Sequence, residues 1–310
     1  MARPAPATGT ANILTPMHGP RKATRMIAIT SRSVPAAAPA GHSLPRALWS
    51  RPRPAVMGIL NVTPDSFSDG GQFIAPERAL AHARRMIAEG ADIIDIGAES
   101  TRPYGAQPVS ADEEIKRLRP ILAEVVALGV SVSIDSMKSA VVAWALDTGA
   151  AIANDVWGLQ RDPDMAKLVA ARHSPVVIMH NRDEVDAGID ITRDIVDFFA
   201  RSLDIADQAG ISRDNIVLDP GIGFGKTSEQ SMTALARLRE LSVFGLPVLV
   251  GASRKRFIST VTPSEPHQRL GGSIAAHLMA AQGGARIIRT HDVAETVQAL
   301  GVAAAIEGNR

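Results

Sequence analysis

Eight short apolar runs mark the chain between residues 55 and 291, each closing on a polar or charged side chain before a helical stretch begins. The runs cover 55–62, 92–97, 130–135, 151–155, 175–180, 216–220, 247–253 and 285–291. They end on Asn61, Asp95, Asp135, Asn154, His180, Asp219, Ser253 with Lys255, and Arg289 with His291. Nearly every residue within a run is apolar, the pattern of strands buried on both faces. The segments between them, notably 76–89, 111–128, 192–209 and 267–282, carry apolar residues at helical spacing. Asp112, Glu113 and Glu114 open the helix expected over 111–128, where its dipole favours carboxylates. Strand and helix alternating eight times predict an α/β chain folded as a (β/α)8 TIM barrel. In such a barrel the carboxyl ends of all strands meet at one face, so the eight polar run-ends converge on one site. An open doubly wound sheet would carry a glycine-rich phosphate loop after its first strand. Here that place reads Thr-Pro-Asp-Ser-Phe, ending at Phe67.

Residues 51–310 are enough for one barrel of ~250 residues, which leaves 1–50 outside it. Those fifty are rich in Ala, Pro, Ser, Thr and Arg, show no sustained hydrophobic period, and predict a disordered or presequence-like extension. They also skew the charge. Six of the 33 Lys and Arg lie there and none of the 32 Asp and Glu, so the net +1 of the chain conceals a body of 27 basic and 32 acidic side chains. Such a body has no bulk electrostatic case for nucleic acid, and no apolar stretch approaches the ~20 residues of a membrane helix. The chain has no cysteine, which removes disulfides, thiolate metal sites and cysteine nucleophiles and fits a reducing, cytoplasmic setting.

Six segments carry the chemistry: MGILNVTPDSFSDGG at 57–71, DIGAESTRP at 95–103, SIDSMK at 133–138, DPGIGFGK at 219–226, ASRK at 252–255 and RTHD at 289–292. Their order and spacing closely resemble dihydropteroate synthase, from about residue 56 to 300. The resemblance implies a folate-pathway transferase on a (β/α)8 barrel. It would join 4-aminobenzoate to the methylene carbon of 6-hydroxymethyl-7,8-dihydropterin diphosphate, with Mg²⁺ as cofactor. It also implies a homodimer and a sulfonamide target.

The residue types suit that reaction. A pterin offers donors at its 2-amino group and N3–H and acceptors at O4 and N5, so it calls for buried carboxylates and amides with a cation opposite. Asp219 can take the donor edge and Lys255 can donate to O4 and N5. The resemblance adds Asp135 and Asn154 to the same pocket and lays Arg289 flat on the pterin face. It assigns Asn61 to Mg²⁺ and diphosphate, and Thr101, Arg102, Arg289 and His291 to phosphate oxygens. Phe67, Pro103, Phe224 and Ser253 would surround the aminobenzoate ring. Asp135 is the carboxylate placed near the pterin methylene cation of a dissociative mechanism, and with Lys255 it makes up the catalytic pair.

Asp95 could be a buried carboxylate that orients Thr101 or Arg102, or a direct substrate contact. His180 stands outside the catalytic set, because the following NRDEVDAGID departs from the commoner Met-Gln-Gly-Thr-Pro stretch. Asp155, beside Asn154, is expected to support a substrate-contacting neighbour or to anchor a loop, and Lys226 to be exposed. Two other functions compete. A methyltetrahydrofolate-dependent methyltransferase would share the pterin pocket but has no use for diphosphate ligands. A non-catalytic pterin-binding paralogue would keep the fold without turnover.

Overall fold

A computed structural model describes residues 51–62, 74–99 and 109–309. Eight parallel strands, β1 (Ala55–Asn61), β2 (Ile93–Gly97), β3 (Ser131–Asp135), β4 (Ile152–Asp155), β5 (Val176–Met179), β6 (Ile216–Asp219), β7 (Leu249–Val250) and β8 (Ile287–Thr290), lie in the order β6-β5-β4-β3-β2-β1-β8-β7. The ends of that order also meet. Leu218 forms a parallel bridge with Val248, and its N–H donates to the Pro247 carbonyl at 3.0 Å. The sheet therefore curls into the expected barrel. Around it run α1 (Ile74–Ala88), α2 (Ala111–Leu118), α3 (Leu122–Val126), α4 (Ser139–Asp147), α5 (Met165–Arg172), α6 (Ile191–Ala209), α7 (Ser228–Ala236), α8 (Arg256–Val261), α9 (Leu270–Gln282) and α10 (Val293–Glu307).

Side chains alternate across each strand. Met57, Ile93, Ile152, Val177, Val217, Leu249 and Ile287 form, with Ala55, a closed apolar layer inside the barrel. Their neighbours, such as Val56, Ile94, Ala153, Ile178 and Ile288, pack outward in the larger core shared with the helices. The position two residues beyond each inner apolar residue faces inward again. Those positions are Ile59, Asp95, Asn154, Met179, Asp219, Gly251 and Arg289. Fully burying an aliphatic side chain is worth about 1.5–3 kcal/mol, whereas burying an unpaired polar group costs free energy. A barrel built for stability alone would repeat the apolar layer, so the four polar members, Asp95, Asn154, Asp219 and Arg289, mark function.

Three elements differ from the sequence expectation. Pro120 has no N–H to continue a helix, so the stretch 111–128 breaks into α2 and α3. The seventh run narrows to two strand residues, because the chain leaves the sheet at Gly251 and bends through Arg254 at φ 58°. The last expected helix begins at Leu270, after a 3-10 turn at Pro266–Gln268. At α2 the expected acidic turn is present, with the Ser110 hydroxyl accepting the Glu113 N–H at 3.2 Å. Glu114, however, is fully buried and lies 2.8 Å from the Lys138 ammonium. The extension 1–50 lies outside the described residues.

Candidate active site

Strand register brings the polar layer together. Asp135 lies opposite Gly97 on one side and Asn154 on the other, Asp219 opposite Met179, and Arg289 opposite Met57. Arg289 spans the barrel interior: Nε donates to Asp95 Oδ2 at 2.7 Å and Nη2 to Asp135 Oδ2 at 2.8 Å. Asn154 Nδ2 donates to both Asp95 oxygens, at 3.3 and 3.2 Å. Asp95 is completely buried, so its contacts orient Arg289 and Asn154. Thr101 and Arg102, its expected partners, lie outside the described residues, as do Phe67 and Pro103.

Two carboxylates are poised to receive donors. Burial pushes Asp135 up to about 7, with Asp95 and Glu114 adding to the effect while Arg289 and Lys255 oppose it. Its Oδ1 is buried without a hydrogen-bond partner. Burial likewise raises Asp219 to about 6, against the pull of the Gly221 N–H, which reaches Asp219 Oδ1 at 2.8 Å. Burial works against the charge of Arg289, but Asp95 and Asp135 more than offset it and raise its affinity for the proton. Arg289 therefore stands paired with two carboxylates in addition to any flat contact with a ring.

The cation at the opposite edge is Lys255. Its ammonium sits 4.0 Å above the centre of the Phe224 ring, a cation–π contact. Ser253 accepts the His291 N–H at 3.2 Å and lies 3.0 Å from His291 Nδ1. Burial, with Arg289 and Arg254 adding to it, holds His291 down to about 3. The imidazole is thus neutral. In the tautomer that takes the Ser253 hydroxyl as donor to Nδ1, the ring proton sits on Nε2 and can meet an anion.

Arg254, to which the sequence reading gave no role, fixes this corner. Its guanidinium clasps Asp292, with Nε 3.1 Å from Oδ2. Its N–H donates to Ser273 Oγ at 2.9 Å, and its carbonyl accepts from Arg269 at 3.0 Å. These three grips hold a left-handed bend, at which non-glycine residues are uncommon, between Ser253 and Lys255. The signal was present in the sequence as the two motif members without an assigned task, the Arg of ASRK and the Asp of RTHD.

The remaining expectations divide. Asn61, Asn154, Phe224 and Ser253 stand at the carboxyl ends of their strands or in the loops that follow them, as expected. His180 points outward, with Nε2 2.9 Å from Asp194 and its ring edge-on to Phe198 at 4.9 Å. Asp155 anchors its loop by accepting the Trp157 and Leu159 N–H groups at 2.9 and 2.6 Å. Lys226 is not exposed: it is 7% accessible, and its ammonium is enclosed by His180 and two carbonyls. The polar letter in GIGFGK suggested solvent, but the glycine turn folds its side chain back into the protein.

Among the described residues no group of three His, Asp or Glu could cage a metal ion. The half-buried Asn61 carboxamide offers a neutral hard oxygen, which fits magnesium held mainly by phosphate oxygens. Among the same residues no helix is long and apolar enough to cross a membrane.

The model of the family described as pterin binding enzyme matches residues 57–291. A dihydropteroate synthase of Bacillus subtilis is 46% identical over 253 residues, covering 81% of this chain and 88% of that protein. The crystal structure of a dihydropteroate synthase from Clostridium difficile in the presence of pteroic acid superposes with a TM-score of 0.79 at 45% identity, covering 82% of this chain and 97% of the other. A Xanthomonas albilineans dihydropteroate synthase with 4-aminobenzoic acid gives the same TM-score and identity, over 82% and 93% of the two chains.

Proposed function

This chain belongs to the pterin-binding enzyme family, among its dihydropteroate synthases, and on that premise we propose how its residues divide the work. It condenses 6-hydroxymethyl-7,8-dihydropterin diphosphate with 4-aminobenzoate to give 7,8-dihydropteroate and diphosphate in folate biosynthesis. The observation that carries the site assignment is the unpartnered, buried Oδ1 of Asp135 beside Asn154. An orphaned buried acceptor is costly, and a ring N–H of the pterin would satisfy it. Asp219 takes the 2-amino and N3–H edge, Asn154 reads a ring nitrogen, and Lys255 donates to O4 and N5.

The C–O bond between the methylene carbon and diphosphate breaks first, and its electron pair leaves with the diphosphate. His291 Nε2–H and the Arg289 N–H groups not engaged by Asp95 or Asp135 stabilise the charge that builds on the departing oxygens, joined by Thr101 and Arg102. Asn61 would be the protein ligand for magnesium, which when bound would neutralise part of that charge. The ionised Asp135 lowers the energy of the pterin methylene cation. The amine of 4-aminobenzoate, lodged against Phe224 and Ser253 with Phe67 and Pro103, then bonds to the methylene carbon and loses a proton.

The enzyme works as a cytoplasmic homodimer in this account. Exposed Met279, Val302 and Ile306 on the adjoining helices α9 and α10 supply an apolar surface for self-association. Calorimetric titration tests the order of events. 4-Aminobenzoate should bind measurably with diphosphate and Mg²⁺ present and not without them; equal affinity in both cases refutes the order.

A further inference from the structure

A buried charge cluster behind the barrel wall has no part in the chemistry above. Lys226 follows a turn at 221–225, and its ammonium folds back beneath that turn. Nζ donates to the carbonyls of Gly221 at 2.9 Å and Phe224 at 3.0 Å, and to His180 Nδ1 at 2.6 Å. Three protons meet three acceptors. Nδ1 can accept only when the His180 proton is on Nε2, and Asp194 Oδ2, 2.9 Å from Nε2, is the acceptor that keeps it there. Arg182 lies 3.0 Å from the same oxygen. A cleft of about 420 Å³ lined by Arg182, Asp194, Phe198 and Arg201 opens this outer end to solvent, while His180 and Lys226 are closed off.

The turn leans on this chain of contacts. Gly221, Gly223 and Gly225 adopt φ of 64°, 80° and 54°, a region that favours glycine. A Cβ at Gly221 would stand 2.0 Å from the His180 carbonyl oxygen, and one at Gly225 would stand 2.5 Å from Arg182 Cβ. The turn backbone thus lies directly on residues 180–182, and the ammonium ties its carbonyls to His180. One end of the turn is pinned by the Gly221 N–H to Asp219. The other is pinned by a capping box between Thr227 and Gln230 at the start of α7. Between them the turn carries Phe224 beneath the Lys255 ammonium.

We propose that Lys226 is a positioning residue for both substrates, holding the turn through an Asp194–His180–Lys226 chain so that Phe224 and Asp219 keep their places at the barrel mouth. It touches neither substrate and acts through those two residues. The proposal rests on the placement of 4-aminobenzoate against Phe224 given above. The groups facing the amine set when it is charged. Burial lowers Lys226 to about 7, Lys255 and Arg182 push the same way, and Asp219 and Asp194 oppose them. Burial keeps His180 near 4, and its hydrogen bond holds Asp194 near 2, so neither changes charge near neutral pH. Once Lys226 is neutral it has two N–H groups for three acceptors, and one leg of the turn is released.

The test measures kcat and both KM values for purified full-length variants between pH 6 and 9, with circular dichroism to verify folding. Lys226→Met, which keeps the stem and removes the donors, should raise KM for 4-aminobenzoate by about tenfold or more, the scale of one lost charge-assisted hydrogen bond. The pterin KM should rise less. His180→Gln preserves an acceptor and should stay within about threefold of wild type, whereas His180→Leu should behave like Lys226→Met. Wild type should lose affinity for 4-aminobenzoate as pH rises through about 7, and Lys226→Met should lack that limb. Should Lys226→Met fail to fold, Asp194→Ala carries the test from the half-exposed outer end. It removes a charge that supports the ammonium, so its alkaline limb should move to lower pH, and an unmoved limb overturns the proposal. Phe224→Ala separates the two readings. If it leaves KM for 4-aminobenzoate unchanged, the placement fails; if it raises that KM and Lys226→Met does not, the positioning chain fails.

Discussion

Replacing Asp95 with Asn asks whether the buried carboxylate bridging Arg289 and Asn154 organises the pterin pocket. In the native site Asp95 Oδ2 accepts from Arg289 at 2.7 Å and from Asn154 at 3.2 Å, and Oδ1 accepts from Asn154 at 3.3 Å. An Asn in the same rotamer can place its oxygen where Oδ2 was. Its NH2 then faces the Asn154 NH2, donor against donor. The Arg289 contact keeps its charged donor but loses the carboxylate charge, and one Asn154 contact becomes a neutral hydrogen bond, each losing about 1 kcal/mol, while the third contact is lost. The two weakened bonds alone come to about 2 kcal/mol, so kcat/KM for the pterin substrate should fall by at least roughly 30-fold. Asp135 should respond as well. The negative charge of Asp95 helps to raise it to about 7, so the acid limb of the pterin pH profile should move to lower pH. Steady-state assays from pH 5 to 8, with urea unfolding as a control for stability, decide the matter. A pterin kcat/KM within twofold of wild type and an unmoved acid limb would show that Asp95 merely fills space.

Lys255→Ala should leave the barrel folded by circular dichroism and abolish turnover, since the O4 and N5 edge of the pterin loses its cation; activity within a few-fold of wild type refutes that role. Asp219→Asn should weaken pterin binding more than 4-aminobenzoate binding by calorimetry, and equal losses would argue against its assignment. Asp135 also predicts a pH dependence of stability. Its folded value of about 7 exceeds the ordinary 3.8, so the folded chain binds more protons, and its stabilising contribution disappears as pH rises from about 4 through 7. Buried His180, His277 and His291, all lowered, tilt the whole-protein curve the other way. The quantity to follow is therefore the unfolding free energy of wild type minus that of Asp135→Asn, which should fall between pH 5 and 7.5. A constant difference contradicts the raised value.

Much of this site was legible in the sequence because barrel strands impose a simple rule. A polar residue two positions after an inner apolar one, as Asp95 follows Ile93 and Arg289 follows Ile287, must face the barrel interior. What escaped were groups whose role depends on where a side chain turns after leaving the backbone. Lys226 looked like an ordinary surface lysine, and only the glycine turn above it shows that its ammonium is internal. His180 and Asp194 are separated by a segment with no motif, and their contact arises because α6 packs behind β5. Arg254 and Asp292 sat inside recognised motifs, but their clasp needs the bend after β7. Pro120 is legible in the sequence as a helix breaker, and α2 and α3 separate around it.

The most direct measurement is a coupled assay of the purified protein with dihydropterin diphosphate, 4-aminobenzoate and Mg²⁺, following dihydropteroate and diphosphate together. Both products should form in equal amounts, and none should form when any one of the three components is left out. Pterin bound without diphosphate release, with all three present, would contradict it.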